Sequence, residues 1–169
     1  MTALIVLLSV LAVVIVLVGL FLVATANRLD RLHVRTDAGW AALDAALARR
    51  AVVARAVAAA GDQSGEHAER LREAAERAEA APRSEREAEE NELTRLLAEV
   101  DRSVLPAGLA GELDDAGHRV VIARRVHNDA VRDTLALRRR RKVRYFKLAG
   151  TAPQPEYFEI AEPDLGDHR

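Results

Sequence analysis

The densest chemistry in the chain is the run Arg138-Arg139-Arg140-Arg141-Lys142-Val143-Arg144-Tyr145-Phe146-Lys147, which sets seven cations and an aromatic pair in ten residues. Cations at that density attract phosphates and carboxylates, so the run reads as a surface for lipid headgroups, nucleic acid or an acidic partner. Its plain alternative is a solvated helix end. No base-stacking aromatics or reading motif accompany it, and nucleic acid is not expected as a partner. A second group, Asp114, Asp115 and His118, has helical spacing that could seed a metal site. Two or three such ligands without a converging set read as a solvated face, so neither metal nor cofactor is expected. A metal-using hydrolase would need a pocket converging on those three groups. The other histidines, His33, His67, His127 and His168, are scattered, and H-E-x-x-H, G-x-S-x-G, Walker and dinucleotide-binding patterns are all missing. Ser64 and Ser84 suit helix caps better than nucleophiles, so no catalytic activity is inferred. The single tryptophan, Trp40, falls on an apolar seam with Leu43 and Leu47 and is expected to anchor a core rather than bind a ligand.

The elements that position these groups begin with 24 uncharged residues, Ala3 to Ala26. At about 1.5 Å per helical residue they span roughly 36 Å, enough to cross a hydrocarbon core of about 30 Å with some tilt. Ala24-Thr25-Ala26 would suit a cleavage site, but only Met1 and Thr2 precede the run, and it exceeds the roughly 7–15 apolar residues of a signal peptide. A permanent anchor is the expectation. Arg28, Arg31 and Arg35 follow it and no Lys or Arg precedes it, which predicts an outside N-terminus and a cytoplasmic C-terminal side, with localisation to the cell membrane. The chain has no cysteine, which fits either compartment.

Beyond the anchor the composition is Ala, Leu, Glu and Arg, and strands are not expected. Apolar or small residues at Leu29, Leu32, Thr36, Trp40, Leu43, Leu47, Ala54 and Val57 predict that the anchor helix runs on to the Gly61–Gly65 turn. A second helix is expected over 66–81. Pro82 and a Ser84-x-x-Glu87 capping box argue for a fresh start and a third helix over 85–100, though one kinked helix through 66–101 stays open. A fourth helix starts near Leu109 and should close at Gly150, before an acidic, Pro-containing and mostly irregular tail, 151–169.

Charge is segregated along this layout. Residues 27–60 carry a net +3, 61–115 a net −9, 116–147 a net +9 and 148–169 a net −4. If four helices alternate direction, the fourth returns to the level of Asn27 and brings its basic run to the lipid surface, with the acidic block kept distal. The same register sets Trp40 opposite Ala130 and Asp44 near Arg124 or Arg125.

Two stretches resemble the LemA family. Asn27-Arg28-Leu29, Arg31-Leu32, Asp37, Trp40, Asp44, Leu47 and Arg49-Arg50 are similar to its juxtamembrane pattern, and Ala123-Arg124-Arg125 with Asn128-Asp129-Ala130-Val131 to its A-R-R-x-Y-N-x-A-V. Glu92-Leu93 and Leu96-Leu97 fall where its third helix belongs, and Gly150 with Pro155, Tyr157, Phe158 and Glu159 resembles its closing A-P-x-Y-F-E. The family's D-L-I-P-N-L-V is here Val52 to Val57, its aromatic before Asn128 is His127, and its helix end is more neutral than 137–144, so the resemblance is to a divergent member. It implies an N-terminally anchored four-helix bundle with its N-terminus outside and no established enzymatic activity, and for some relatives a link to membrane quality-control proteases.

The sequence thus predicts an all-α chain: a transmembrane anchor, 1–26, continuing into an antiparallel four-helix bundle, 27–150, and a tail, 151–169. Its expected function is scaffold or adaptor, with regulation of, or substrate delivery to, a membrane protease as the alternative. Expected partners are the lipid bilayer, its anionic headgroups and a membrane or cytoplasmic protein. The residues expected to touch the membrane surface are Arg28, Arg31, Arg35, Arg138, Arg139, Arg140, Arg141, Lys142, Arg144 and Lys147, and those expected in the core are Trp40, Leu43, Leu47 and Ala130.

Overall fold

The computed structural model describes residues 1–60, 65–150 and 152–161, and all the regular structure in them is helical. The elements are α1 (Thr2–Ala60), α2 (Gly65–Ala80), α3 (Arg86–Ala98), a single 3-10 turn (Arg102–Val104), α4 (Ala107–Arg138) and α5 (Arg141–Tyr145). The expected anchor and first bundle helix are one element, because Ala and Leu dominate and no proline interrupts 59 residues. The Gly61–Ser64 part of the expected turn lies outside the described residues. Two compact units share the chain: residues 1–37 with 130–156, and residues 38–129 with the tail from Tyr157. Both α1 and α4 contribute to each.

The first unit contains the one described helix segment long and apolar enough to cross a membrane, its side chains unburied within the protein. Past that segment α1 lies against the end of α4 running the opposite way. The hydroxyls of Thr36 and Thr134 share a buried hydrogen bond of 3.0 Å, Arg35 pairs with Asp133 at 3.3 Å, and Leu29 packs with Leu137 and Val143. The expected closure of the fourth helix at Gly150 is wrong. α4 ends at Arg138, Arg140 turns extended (ψ 133°), and α5 follows as a single short helix. Four successive arginines set like charges three residues apart, which weakens a helix there. Val143 gains burial against Leu29 and Leu137 when the chain turns. α5 ends in a Schellman arrangement: Leu148 N–H reaches the Val143 carbonyl at 3.0 Å, and Lys147 N–H the Arg144 carbonyl at 3.3 Å. Lys147 occupies the left-handed position (φ 49°) that glycine usually takes.

The second unit is the bundle proper. α2 and α3 form an antiparallel hairpin, with Arg77 on Glu89 (3.1 Å) and His67 beside Glu99 (3.5 Å), which settles the kinked-helix alternative in favour of the break at Pro82. Its core is built from small side chains. Ala51, Ala54, Ala74, Ala75 and Ala78 are buried with Val57, Leu71, Leu93, Leu96 and Leu113, so the helices approach closely. At Gly39 a Cβ would stand 3.2 Å from the His127 Cα, and only glycine fits that approach unchanged. The Ser84 capping box is not used: Glu85 is the residue before α3, its side chain makes no cap bond, and its N–H bonds the Pro82 carbonyl. The turn after Pro82 enters α3 through backbone bonds, with the Arg86 side chain donating back to the Glu79 carbonyl at 3.4 Å, and Glu87 is spent elsewhere.

Glu87 holds the tail. Residues 152–161 have no regular structure, as expected, yet they are pinned. The Asn128 side chain accepts from the Phe158 N–H (2.9 Å) and donates to the Phe158 carbonyl (3.1 Å). Glu159 N–H donates to Glu87 (2.7 Å) and Ala161 N–H to Asn91 (2.8 Å). Phe158 and Ile160 are buried beside Leu43, Leu47 and Val120.

Candidate membrane-surface site

The cations of the first unit divide by what they touch. Arg138, expected at the membrane surface, is half-buried and works as a tie. Its guanidinium donates to the carbonyls of Ala152 (2.8 Å) and Pro153 (3.0 Å) and to Nε2 of His33 (3.2 Å). Arg35 is exposed but committed to Asp133. Arg28, Arg31, Arg139, Arg140, Arg141, Lys142, Arg144 and Lys147 are exposed.

The turn between α4 and α5 gathers part of this set at the end of the apolar segment. Lys142 Nζ stands 4.6 Å from the centroid of the Phe21 ring, a cation–π contact. Phe21, Thr25 and Arg28 of α1 face Leu137, Arg140, Arg141, Lys142 and Val143 across a pocket of about 320 Å³. The Thr25 hydroxyl donates to the Phe21 carbonyl at 2.8 Å. The remaining cations, Arg139, Arg144 and Lys147, line a separate pocket of about 560 Å³ with Arg138 and Gln154. One basic run is therefore divided between two pockets, with Val143 in the wall of both.

Leu43 and Leu47 are fully buried and Ala130 is buried in the first unit. Trp40 is half-buried, edge-on to His127 and Phe158 with centroids 5.6 Å away in each case, and the Arg83 guanidinium covers its ring at 3.9 Å. Asp44, expected beside Arg124 or Arg125, pairs with Arg86 at 3.3 Å, while Arg124 lies 3.8 Å from Glu159. Asp114 pairs with Arg102, and His118 donates through Nδ1 to the Asp114 carbonyl at 3.0 Å.

Sequence reasoning missed a buried charged network in the second unit. Arg50 (1% exposed) bonds Glu90 (0% exposed) through its carboxylate at 2.5 Å and its carbonyl at 3.2 Å, and bonds the Thr94 hydroxyl at 3.1 Å. Arg86 reaches the other Glu90 oxygen at 3.2 Å. The signal was present: Glu90 continues the Leu93, Leu97 stripe backwards, and Arg50 falls between Leu47 and Ala54 on the seam. Among the described residues no group of three or more His, Asp or Glu side chains could hold a metal ion. Comparison with family models, curated proteins and solved structures finds no match for this chain.

Proposed function

We propose that this chain is a single-pass, LemA-like membrane protein, its N-terminus outside the cell membrane, whose cytoplasmic helical bundle serves as a scaffold or adaptor without catalysis of its own. The observation that carries the reading is the meeting of Lys142 with Phe21: a basic run remote in sequence folds onto the last turns of the apolar segment. Cations there suit an anionic inner leaflet, where each contributes around 1 kcal/mol, and exposed Tyr145 and Phe146 suit an interface. Arg28, Arg31 and Arg35 support the inward orientation. The order of the LemA-like motifs supports the family assignment.

Proximity labelling from a tag at Arg169, in the native host, tests the adaptor role. A membrane or cytoplasmic protein labelled by the full chain and not by the tagged anchor alone is the expected outcome; identical labelling by both overturns the role. Alkaline phosphatase activity of a fusion at Arg169 overturns the orientation.

A further inference from the structure

We propose that the pocket between Phe21, Thr25 and Arg28 of α1 and Arg140, Arg141 and Lys142 holds the headgroup phosphate of one anionic phospholipid. This rests on the membrane reading above and turns a diffuse charged surface into a site. The pocket is two-faced. Phe21, Leu137 and Val143 give it an apolar wall, and Arg28, Arg140, Arg141 and Lys142 give it four cations. Among the described residues no carboxylate forms an ion pair with any of the four. The Thr25 hydroxyl proton is already committed to the Phe21 carbonyl, so the cations supply the recognition. At about 320 Å³ the pocket is at the small end of the range for specific ligand sites, about 300–1,000 Å³.

Position selects a lipid over a free anion. Phe21 and Thr25 lie in the last two turns of a segment whose apolar residues end at Ala26. A lipid chain lying along that segment reaches the polar boundary there, so its phosphate arrives one helical turn further on, at the level of Arg28. An inorganic phosphate meets the same cations but gains nothing from Phe21. Guanidinium pairs of the Arg140–Arg141 kind suit a phosphodiester because each can present two parallel donors to its oxygens. The break in α4 is what makes the site: with Arg140 extended, Arg140, Arg141 and Lys142 turn to α1, while Arg139, Arg144 and Lys147 line the other pocket.

The full-length protein in nanodiscs of phosphatidylcholine doped with phosphatidylglycerol tests this, with native mass spectrometry counting retained anionic lipid. Two variants carry the same loss of charge: Arg140→Gln/Arg141→Gln/Lys142→Gln in the pocket, and Arg139→Gln/Arg144→Gln/Lys147→Gln in the other cluster. All six side chains are exposed, and circular dichroism checks that the fold is kept. The expected result is one phosphatidylglycerol retained by the wild type and by the second variant, and about a hundredfold weaker retention by the first. Equal loss in both variants, or in neither, overturns the site. Displacement of the lipid by millimolar inorganic phosphate, with phosphate binding equally well in discs of phosphatidylcholine alone, overturns the lipid as its ligand. Carbonate extraction of membranes from the native host separates the two claims: release of the protein sinks the membrane reading itself, whereas a retained protein with no pocket-dependent lipid sinks only the site.

Discussion

Arg50 and Arg86 in the bundle contrast with Arg140 and Arg141 in the first unit. In the bundle, Arg50 and Arg86 are buried on one carboxylate, Glu90, and their geometry is fixed from several sides by Thr94, Asp44 and backbone carbonyls. In the first unit, Arg140 and Arg141 are exposed, and among the described residues they have no ion pair. The buried set cannot be released without stranding charge, so it fixes which helix faces meet. The exposed set is held in place only by its backbone, which leaves it available to a ligand. The difference is made by Glu90, which faces Arg50 from α3 and stands one turn from Arg86 on the same helix.

The largest effect is expected at Glu90. Replacing it with Gln leaves two buried guanidiniums facing a neutral amide, and removing one partner of a buried ion pair costs about 3–5 kcal/mol. Urea unfolding of the full chain in detergent should show a loss of that size for Glu90→Gln. The pocket triple Arg140→Gln/Arg141→Gln/Lys142→Gln should leave the midpoint unmoved. A loss below about 1 kcal/mol for Glu90→Gln would mean that the network does not fix the bundle.

Trp40 is the next largest lever. A fully buried indole replaced by Ala costs about 3–5 kcal/mol, and the half-burial of Trp40 lowers the expected loss to about 2 kcal/mol. Because the ring packs on Phe158, Trp40→Ala should also loosen the tail, seen as faster hydrogen exchange at the Phe158 amide that Asn128 holds. Unchanged exchange there would separate the indole from the tail.

Much of the fold was legible from the residues. Leu43 and Leu47 are in the core where the seam placed them, α1 runs through to Ala60, and the hairpin breaks at Pro82. The misses share one cause, which is that side-chain bonding across elements overrides local rules. Ser84 has a capping-box sequence, but its partner Glu87 is taken by the tail backbone. Glu90 reads as one acid among many on a polar helix, and only its spacing from Leu93 and Leu97 marks it as buried. The end of α4 carries no proline or glycine; it is set by Val143 turning onto Leu29 and by Arg138 bonding the carbonyls of Ala152 and Pro153. For the ten cations expected at the membrane surface, composition showed neither the division of the basic run between two pockets nor the structural use of Arg138.

A smaller effect sharpens the contrast within the basic run itself. Lys147 holds a left-handed backbone at φ 49°, which costs a non-glycine residue about 1–2 kcal/mol. Lys147→Gly should therefore stabilise the first unit by about 1 kcal/mol, read as slower hydrogen exchange at the Leu148 amide. It should leave lipid retention unchanged, since Lys147 lines the other pocket. Weakened lipid retention would show the two clusters acting as one.

The smallest effect lies with the exposed acids, whose pairs are local rather than buried. Asp101 accepts from both the hydroxyl and the N–H of Ser103, and these bonds hold its carboxyl below the usual value, the side-chain bond foremost. Glu69 beside Arg72 and Glu92 beside Arg95 are lowered in the same way, by side-chain hydrogen bonds first. A carboxyl lowered by folding contributes stability above its unfolded pKa, about 4, and loses that contribution as pH falls through the folded value. Asp101→Asn should therefore melt about a degree below the wild type at pH 7, with the gap narrowing once pH drops under about 4. High salt should weaken the contributions of Glu69 and Glu92, which are ion pairs, and leave the Asp101 gap, which rests on neutral donors. A gap that widened on acidification would reverse the sign and remove the hydrogen-bonded carboxylate as its cause.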